Sequence, residues 1–420
     1  MSKKSIKVGG VEVHTLAEQF GTPIFVYDEE KIRLNFRRVL KAFSDRYPKV
    51  KFYYAIKANS NPAIAEILRQ EGAGLDTASL NEIRLAKKIG LKGEEVIFSG
   101  NFLSDDDLKE GLRSGVIFNL DDVSLFPRLQ RFGLPKVLSF RINPGIGKSN
   151  VGHFDVTGGP EAKFGLHESQ AMEAYKMAKM AGVKRFGVHM MAGSCVTDPA
   201  YFGEITGRLM DIIGKLHKSL EIDFEFIDLG GGLGIPYRPD EKELDLEATA
   251  EIVVKVFLEK IKHYGLKPPR LVMEPGRYFV GNAGYLVGRV QAVKNGYQKI
   301  FGTDMGMNIV PRIILYDAFH KIRVDGKEGQ SLMSTNLCGQ ICEQTDLWGK
   351  NLRLPPLEVG DLLVMENCGA YCYGMSYNYN GRFLPAEVLV GKGGAELIRK
   401  AFTLEDYLRG TVVPKRLKRG

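Results

Sequence analysis

Long apolar runs are missing from this chain, and none approaches the ~18 residues that a membrane-crossing helix needs. The basic start Met1-Ser2-Lys3-Lys4 leads into Gly9-Gly10 and Glu12 rather than an apolar stretch, so neither an export signal nor a membrane anchor is expected. The expected location is the cytoplasm. Cysteine is scarce as well: five in 420 residues, an odd number at low density, argues against a secreted disulfide scaffold. A strong excess of one charge is also lacking. The net +8 is the difference between 58 Lys+Arg and 50 Asp+Glu, and half of it sits in Lys415, Arg416, Lys418 and Arg419 at the tail. Lys and Arg are not interleaved with aromatics along one face, so no nucleic-acid partner is expected, and the tail reads as a solvated, frayed end. There is no short-period repeat and no low-complexity tract.

What is present is apolar mass, 44% of residues, with 26% charged, enough for a large core and two domains. From Lys51 to Glu274 strand-like runs alternate with helical ones. The strand candidates are 52–56, 73–76, 96–99, 116–119, 137–142, 185–190, 224–229 and 270–273. Between them apolar residues recur at three and four, as in Ile64, Ile67 and Leu68, or Leu80, Ile83, Leu85 and Ala86. Ser79 and Ser104 stand as caps, the latter ahead of Asp105-Asp106-Asp107 where the helix dipole favours anions. Eight strand–helix units over about 225 residues predict an α/β fold, a (β/α)8 TIM-like barrel over 28–275. After Glu274 short strands punctuated by Gly and Pro (Leu286, Gly288, Val290, Ala292; Leu362 to Met365) predict a C-terminal β-rich domain over 276–420. The opening segment 1–27 (Ile6, Val8, Val11, Val13, Phe25, Val26) is strand-like and is expected to join it, ahead of a helix over 28–44.

In a barrel, chemistry is built at the carboxyl ends of the strands. Lys57 follows the first strand in Tyr54-Ala55-Ile56-Lys57-Ala58-Asn59, as a surface charge or as a desolvated amine for Schiff-base chemistry. Asp76 ends the second strand; His189, then Gly193-Ser194, the sixth. The seventh runs into Asp228-Leu229-Gly230-Gly231-Gly232-Leu233-Gly234 and the eighth into Glu274-Pro275-Gly276-Arg277. Three glycines after strand seven make either a tight turn or a backbone cradle for a phosphate, which barrels often place there. A lysine, a phosphate cradle and a carboxylate on one rim suit pyridoxal 5'-phosphate.

Six motifs in order carry a resemblance from about Phe25 to Glu387: Tyr54 to Asn59, Gly230-Gly231-Gly232, Glu274 to Arg277, Cys342-Glu343-Gln344-Thr345-Asp346, Gly369-Ala370-Tyr371 and Asn378-Tyr379-Asn380-Gly381-Arg382. The chain resembles the pyridoxal-phosphate-dependent decarboxylases of the alanine-racemase-like barrel fold, and within them the diaminopimelate decarboxylase family. The resemblance implies decarboxylation of meso-2,6-diaminopimelate to L-lysine and CO2, the last step of lysine biosynthesis. It makes Lys57 the Schiff-base lysine and Glu274 the acid at the ring nitrogen. Ser194, Gly231, Gly232, Gly276 and Tyr371 are implied around the phosphate, with Asp76, His189 and Met191 also at the cofactor. Arg277, Arg312, Tyr316 and Tyr371 are implied at the substrate. It further implies a homodimer with shared sites, in which Cys342 protonates the substrate carbon and Glu343 binds the distal ammonium of the partner's substrate. No resident metal is implied.

Two positions depart from the family. Where the family carries a stacking histidine, this chain has Met191, a thioether that can pack on an aromatic face. The usual Arg-Pro motif reads Pro311-Arg312-Ile313. Three alternatives stay open: a zinc site on Cys338-x3-Cys342 and Cys368-x3-Cys372, an inactive regulatory relative, and a decarboxylase of another basic amino acid or carboxylated polyamine. The histidines at 14, 153, 167, 217, 263 and 320 show no ligand spacing and read as structural or solvated.

Overall fold

The computed structural model describes residues 5–150 and 156–417; Met1 to Lys4, His153 and the tail residues Lys418 and Arg419 lie outside the described residues. All eight expected barrel strands form, as Val50–Ala55, Gly74–Thr77, Val96–Phe98, Ile117–Leu120, Leu138–Ile142, Phe186–Met190, Phe224–Asp228 and Arg270–Met273. Each is parallel to its neighbours, and the eighth closes on the first through Leu271–Val50 and Met273–Phe52. The short second and third strands hold because Gly74–Thr77 is buried along its whole length between two paired neighbours.

The expected caps at Ser79 and Ser104 form, and Asp28 adds a third. Asp28 accepts from the Lys31 N–H to open helix Glu29–Ser44, Ser79 accepts from Glu82 N–H before Leu80–Lys88, and Ser104 and Asp107 form a reciprocal capping box before Asp105–Ser114. Inside the barrel, below the strand ends, Tyr53, Ile97, Ile117, Val137, Phe226 and Val272 pack into a separate cluster. The rings of Phe226 and Tyr53 lie only 2.1 and 2.4 Å from where a Cβ would stand on Gly187 and Gly74. Glycine opposite each ring makes room for these large side chains in the barrel interior.

Nine of the remaining strands form one sheet whose long member Gly284–Asn295 runs antiparallel to Ile24–Asp28, Lys299–Thr303 and Leu362–Met365, and the others make two small two-stranded pairs. Ile24–Asp28 also pairs in parallel with Ala386–Gly391. One local expectation is corrected here. Val13 does not belong to a strand but opens helix Val13–Phe20, because Val13, Leu16 and Ala17 recur at three and four and bury one face, and Gly21 at φ +79° ends it. Among the described residues no helix is long and apolar enough to cross a membrane.

Candidate active site

The site is assembled at the carboxyl ends of strands one, two, six, seven and eight. Lys57 sits in the single helical turn Ile56–Ala58 that follows strand one, and its Nζ lies 3.3 Å from Asp76 Oδ2 at the end of strand two. Burial is the largest single influence and opposes the charge on Lys57, but Asp76, Tyr371 and Glu274 together outweigh it and the ammonium is held above its ordinary range. Asp76 itself is shifted upward, by burial and then by Glu274, against the pull of Lys57.

Strands six, seven and eight contribute a buried cluster of His189, Asp228 and Glu274. His189 Nε2 is 3.1 Å from Glu274 Oε2, and Asp228 Oδ1 accepts from the Gly230 N–H at 2.8 Å. Burial pushes both acids up, yet His189, Lys57 and a hydrogen bond from Asp228 bring Glu274 down to about 2. Asp228 goes the other way, raised well above the carboxylate range by burial and by Glu274. Of the pair, Asp228 is the member that favours the proton and Glu274 the more acidic one.

The three glycines are crowded by backbone on every side. A Cβ on Gly230 would stand 2.3 Å from the Met190 carbonyl oxygen, on Gly231 2.6 Å from that of Glu274, and on Gly232 2.8 Å from that of Gly193. Gly230 and Gly232 also adopt φ of +70° and +98°. Ser194, Gly231, Gly232, Gly276, Arg277 and Tyr371 line one small cavity with Lys57 and Glu274. Tyr371, at φ +58°, donates its N–H to the Ala58 carbonyl at 2.7 Å, and the Arg277 guanidinium lies 4.7 Å from its ring centre. Met191 also faces this cavity, its sulfur accepting from the Gly231 N–H at 3.1 Å.

A second space of about 260 Å³ opens from Lys57 past Asp76, His189 and Met191 to Arg277, Arg312 and Tyr316. The structure thus gathers the expected cofactor and substrate residues around one continuous rim. Two expected residues are elsewhere. Cys342 and Glu343 are exposed and line neither space; the Cys342 N–H donates to Asn380 Oδ1 at 2.7 Å and Glu343 Oε1 accepts from the Tyr379 hydroxyl at 2.9 Å. Cys368 and Cys372 are both buried, and their thiols interact with each other.

Sequence reasoning passed over Asp228, Tyr237 and His320. Asp228 carried a signal, since it ends strand seven as Asp76 ends strand two. His320, expected to be structural or solvated, is buried against Arg312.

The donor set fits pyridoxal phosphate. Asp76 Oδ1, His189 Nδ1 and Glu274 Oε1 are buried without a hydrogen-bond partner, and Gly231, Gly232 and Gly276 line the same small cavity as Ser194 and Arg277. Fold and site together define a pyridoxal-phosphate-dependent barrel enzyme. Residues 31–281 match the family described as pyridoxal-dependent decarboxylase, pyridoxal binding domain. The chain is 40% identical to the diaminopimelate decarboxylase of Methanothermobacter thermautotrophicus over 99% of its own length and 97% of the relative's. It superposes on the crystal structure of Methanocaldococcus jannaschii diaminopimelate decarboxylase in co-complex with L-lysine with a TM-score of 0.91, at 34% identity over 99% and 97% of the two chains. The lysine/ornithine decarboxylase of Vibrio vulnificus shares the fold at a TM-score of 0.77 and 22% identity, covering 90% of this chain and 97% of that one. The chain belongs to the pyridoxal-dependent decarboxylases and, within them, to the diaminopimelate decarboxylase family.

Proposed function

We propose that this protein decarboxylates meso-2,6-diaminopimelate at its D-centre to give L-lysine and CO2, the last step of lysine biosynthesis. One observation carries the choice of substrate: Arg312, 1% exposed, has no carboxylate partner among the described residues and faces the same space as Lys57. A buried guanidinium in that position calls for an anion on the substrate's far end. Ornithine brings only an ammonium there, while diaminopimelate brings a carboxylate as well.

Bound at the rim, pyridoxal phosphate supplies the electron sink for the bond that releases CO2. Lys57 holds the cofactor through its amine, and Asp76 keeps that amine in place. Ionised Glu274 stabilises a protonated ring nitrogen, with His189 and Asp228 holding its carboxylate. Ser194, Gly231, Gly232, Gly276 and Tyr371 bind the phosphate, and Met191 packs its thioether on the ring. Arg277, Arg312 and Tyr316 take the distal carboxylate. Cys342, exposed here, delivers the proton that replaces the lost carboxylate, and Glu343 binds the distal ammonium, both across the interface of a cytoplasmic homodimer. The same proposal divides the chain into a cofactor-binding barrel over 28–275 and a β domain over 276–420 joined by 1–27. Neither nucleic acid nor membrane takes part.

The test is CO2 release from meso-diaminopimelate beside ornithine, arginine and lysine. Diaminopimelate should be preferred by roughly a hundredfold or more in kcat/KM, the scale set by leaving a buried charge unpaired. Arg312→Ala should abolish that preference while leaving cofactor content unchanged; comparable efficiency on ornithine would overturn the assignment.

A further inference from the structure

The side chains that accept hydrogen bonds from Arg312 are Tyr237 and His320, neither of them acidic, with the Cys372 thiol close by. The Arg312 Nη1 donates to the Tyr237 hydroxyl at 3.2 Å and to His320 Nε2 at 3.0 Å, and its guanidinium lies 4.8 Å from the Tyr237 ring centre. Nη2 is buried with no hydrogen-bond partner. Tyr237 is a bridge as well, because the same hydroxyl accepts from Arg277 Nη1 at 2.9 Å. His320 is pinned from behind, its Nδ1 lying 2.9 Å from the Glu366 carbonyl oxygen. A carbonyl can only accept and a guanidinium can only donate, so Nδ1 carries the proton and Nε2 offers its lone pair. One tautomer of a neutral imidazole is therefore enforced. Burial and the neighbouring Arg312 pull the His320 pKa down to about 3, in agreement.

We propose that Tyr237 and His320 are positioning residues for substrate specificity: two neutral acceptors that fix Arg312 beside Arg277 without cancelling its charge, leaving Nη2 for the distal carboxylate of an amino-acid ligand. An acidic residue in either place would hold the guanidinium as firmly but neutralise it, and the site would lose its demand for an anion. The proposal rests on Arg312 reading that carboxylate, and the test separates the two.

L-Lysine and 1,5-diaminopentane are a matched pair of probes, since they differ only by the carboxylate. Their equilibrium affinities for the holoenzyme would be measured by calorimetry in wild type, His320→Leu, His320→Gln, Tyr237→Phe and Arg312→Ala. Tyr237→Phe keeps the ring under both guanidiniums and removes only the hydroxyl; glutamine returns an acceptor oxygen near the Nε2 position. The expected result is a loss of tenfold or more in L-lysine affinity for His320→Leu and Tyr237→Phe, with diamine affinity within about twofold and His320→Gln close to wild type. In turnover the same variants should raise KM for diaminopimelate far more than they lower kcat. Wild-type lysine affinity in His320→Leu and Tyr237→Phe, with Arg312→Ala impaired, would overturn the positioning roles alone. Equal loss of both probes would overturn them too, as general damage. Undiminished lysine affinity in Arg312→Ala would overturn the carboxylate role itself. If His320→Leu fails to hold cofactor, Tyr237→Phe decides by the same criteria.

Discussion

At the scale of single residues the site depends on where protons rest in a dry environment. Asp228 and Glu274 are both buried, and their carboxyls meet at the ends of neighbouring strands. With the proton on Asp228, asparagine is a close mimic: its oxygen can accept from Gly230 N–H and its amide can donate to Glu274. Asp228→Asn should therefore hold the cofactor within a few-fold of wild type, whereas Asp228→Leu removes both the acceptor of the Gly230 N–H and the polar neighbour of Glu274 and should cost about 1 to 3 kcal/mol, roughly five- to 150-fold in affinity. Absorbance titration of apoenzyme with cofactor measures both. Equal loss in the two variants would show that Asp228 acts as a charged carboxylate.

His320 provides a pH prediction. Its folded pKa of about 3 lies below the ordinary histidine value, so the neutral ring contributes stability that is fully present above about pH 6.5 and is lost as pH falls toward 3. Between pH 6.5 and 5 wild type should lose up to about 2 kcal/mol relative to His320→Gln, at most about 1.4 kcal/mol per pH unit. Denaturation profiles of the two proteins at pH 7.5, 6 and 5 would show the difference narrowing; a constant difference would mean that the imidazole titrates normally.

At the scale of elements, the loop after strand seven depends on glycine for two separable reasons. Gly232 has both a left-handed backbone and a carbonyl oxygen 2.8 Å from the missing Cβ, and its own carbonyl accepts from Val196 N–H at 2.8 Å. Gly265 shares the sign of φ, at +68°, but has open space around it. Gly232→Ala should weaken cofactor binding tenfold or more, while Gly265→Ala, which ends a helix remote from the rim, should cost only about 1 kcal/mol of stability and leave cofactor affinity alone. Thermal melts and cofactor titration of both variants separate strain from crowding.

At the scale of the whole molecule, the exposed positions of Cys342 and Glu343 bear on assembly. If they complete a partner's site, inactive Lys57→Ala and Cys342→Ala subunits should complement each other after dissociation and mixing. Half of the dimers are then mixed, each with one intact site, so up to about a quarter of wild-type activity returns. No recovery despite demonstrated heterodimers would place Cys342 in the site of its own subunit.

Much of this protein was determined locally and was therefore legible in the chain. The alternation of buried runs and amphipathic helices specifies eight barrel strands, and Ser79 and Ser104 mark helix starts, because period and caps act over a few residues. Once the barrel is known, Lys57, Asp76, His189, Gly230 to Gly232 and Glu274 fall on its rim by their position after each strand. Tertiary structure alone decided what depends on remote segments meeting. Ile24–Asp28 gains its place between Gly284–Asn295 and Ala386–Gly391 only through long-range pairing. Tyr237, from the loop after strand seven, meets Arg312 and His320 only after the sheet docks beside the barrel. No period or motif records that meeting, because buried polar groups are selected by the partners they find in space rather than by their neighbours in sequence.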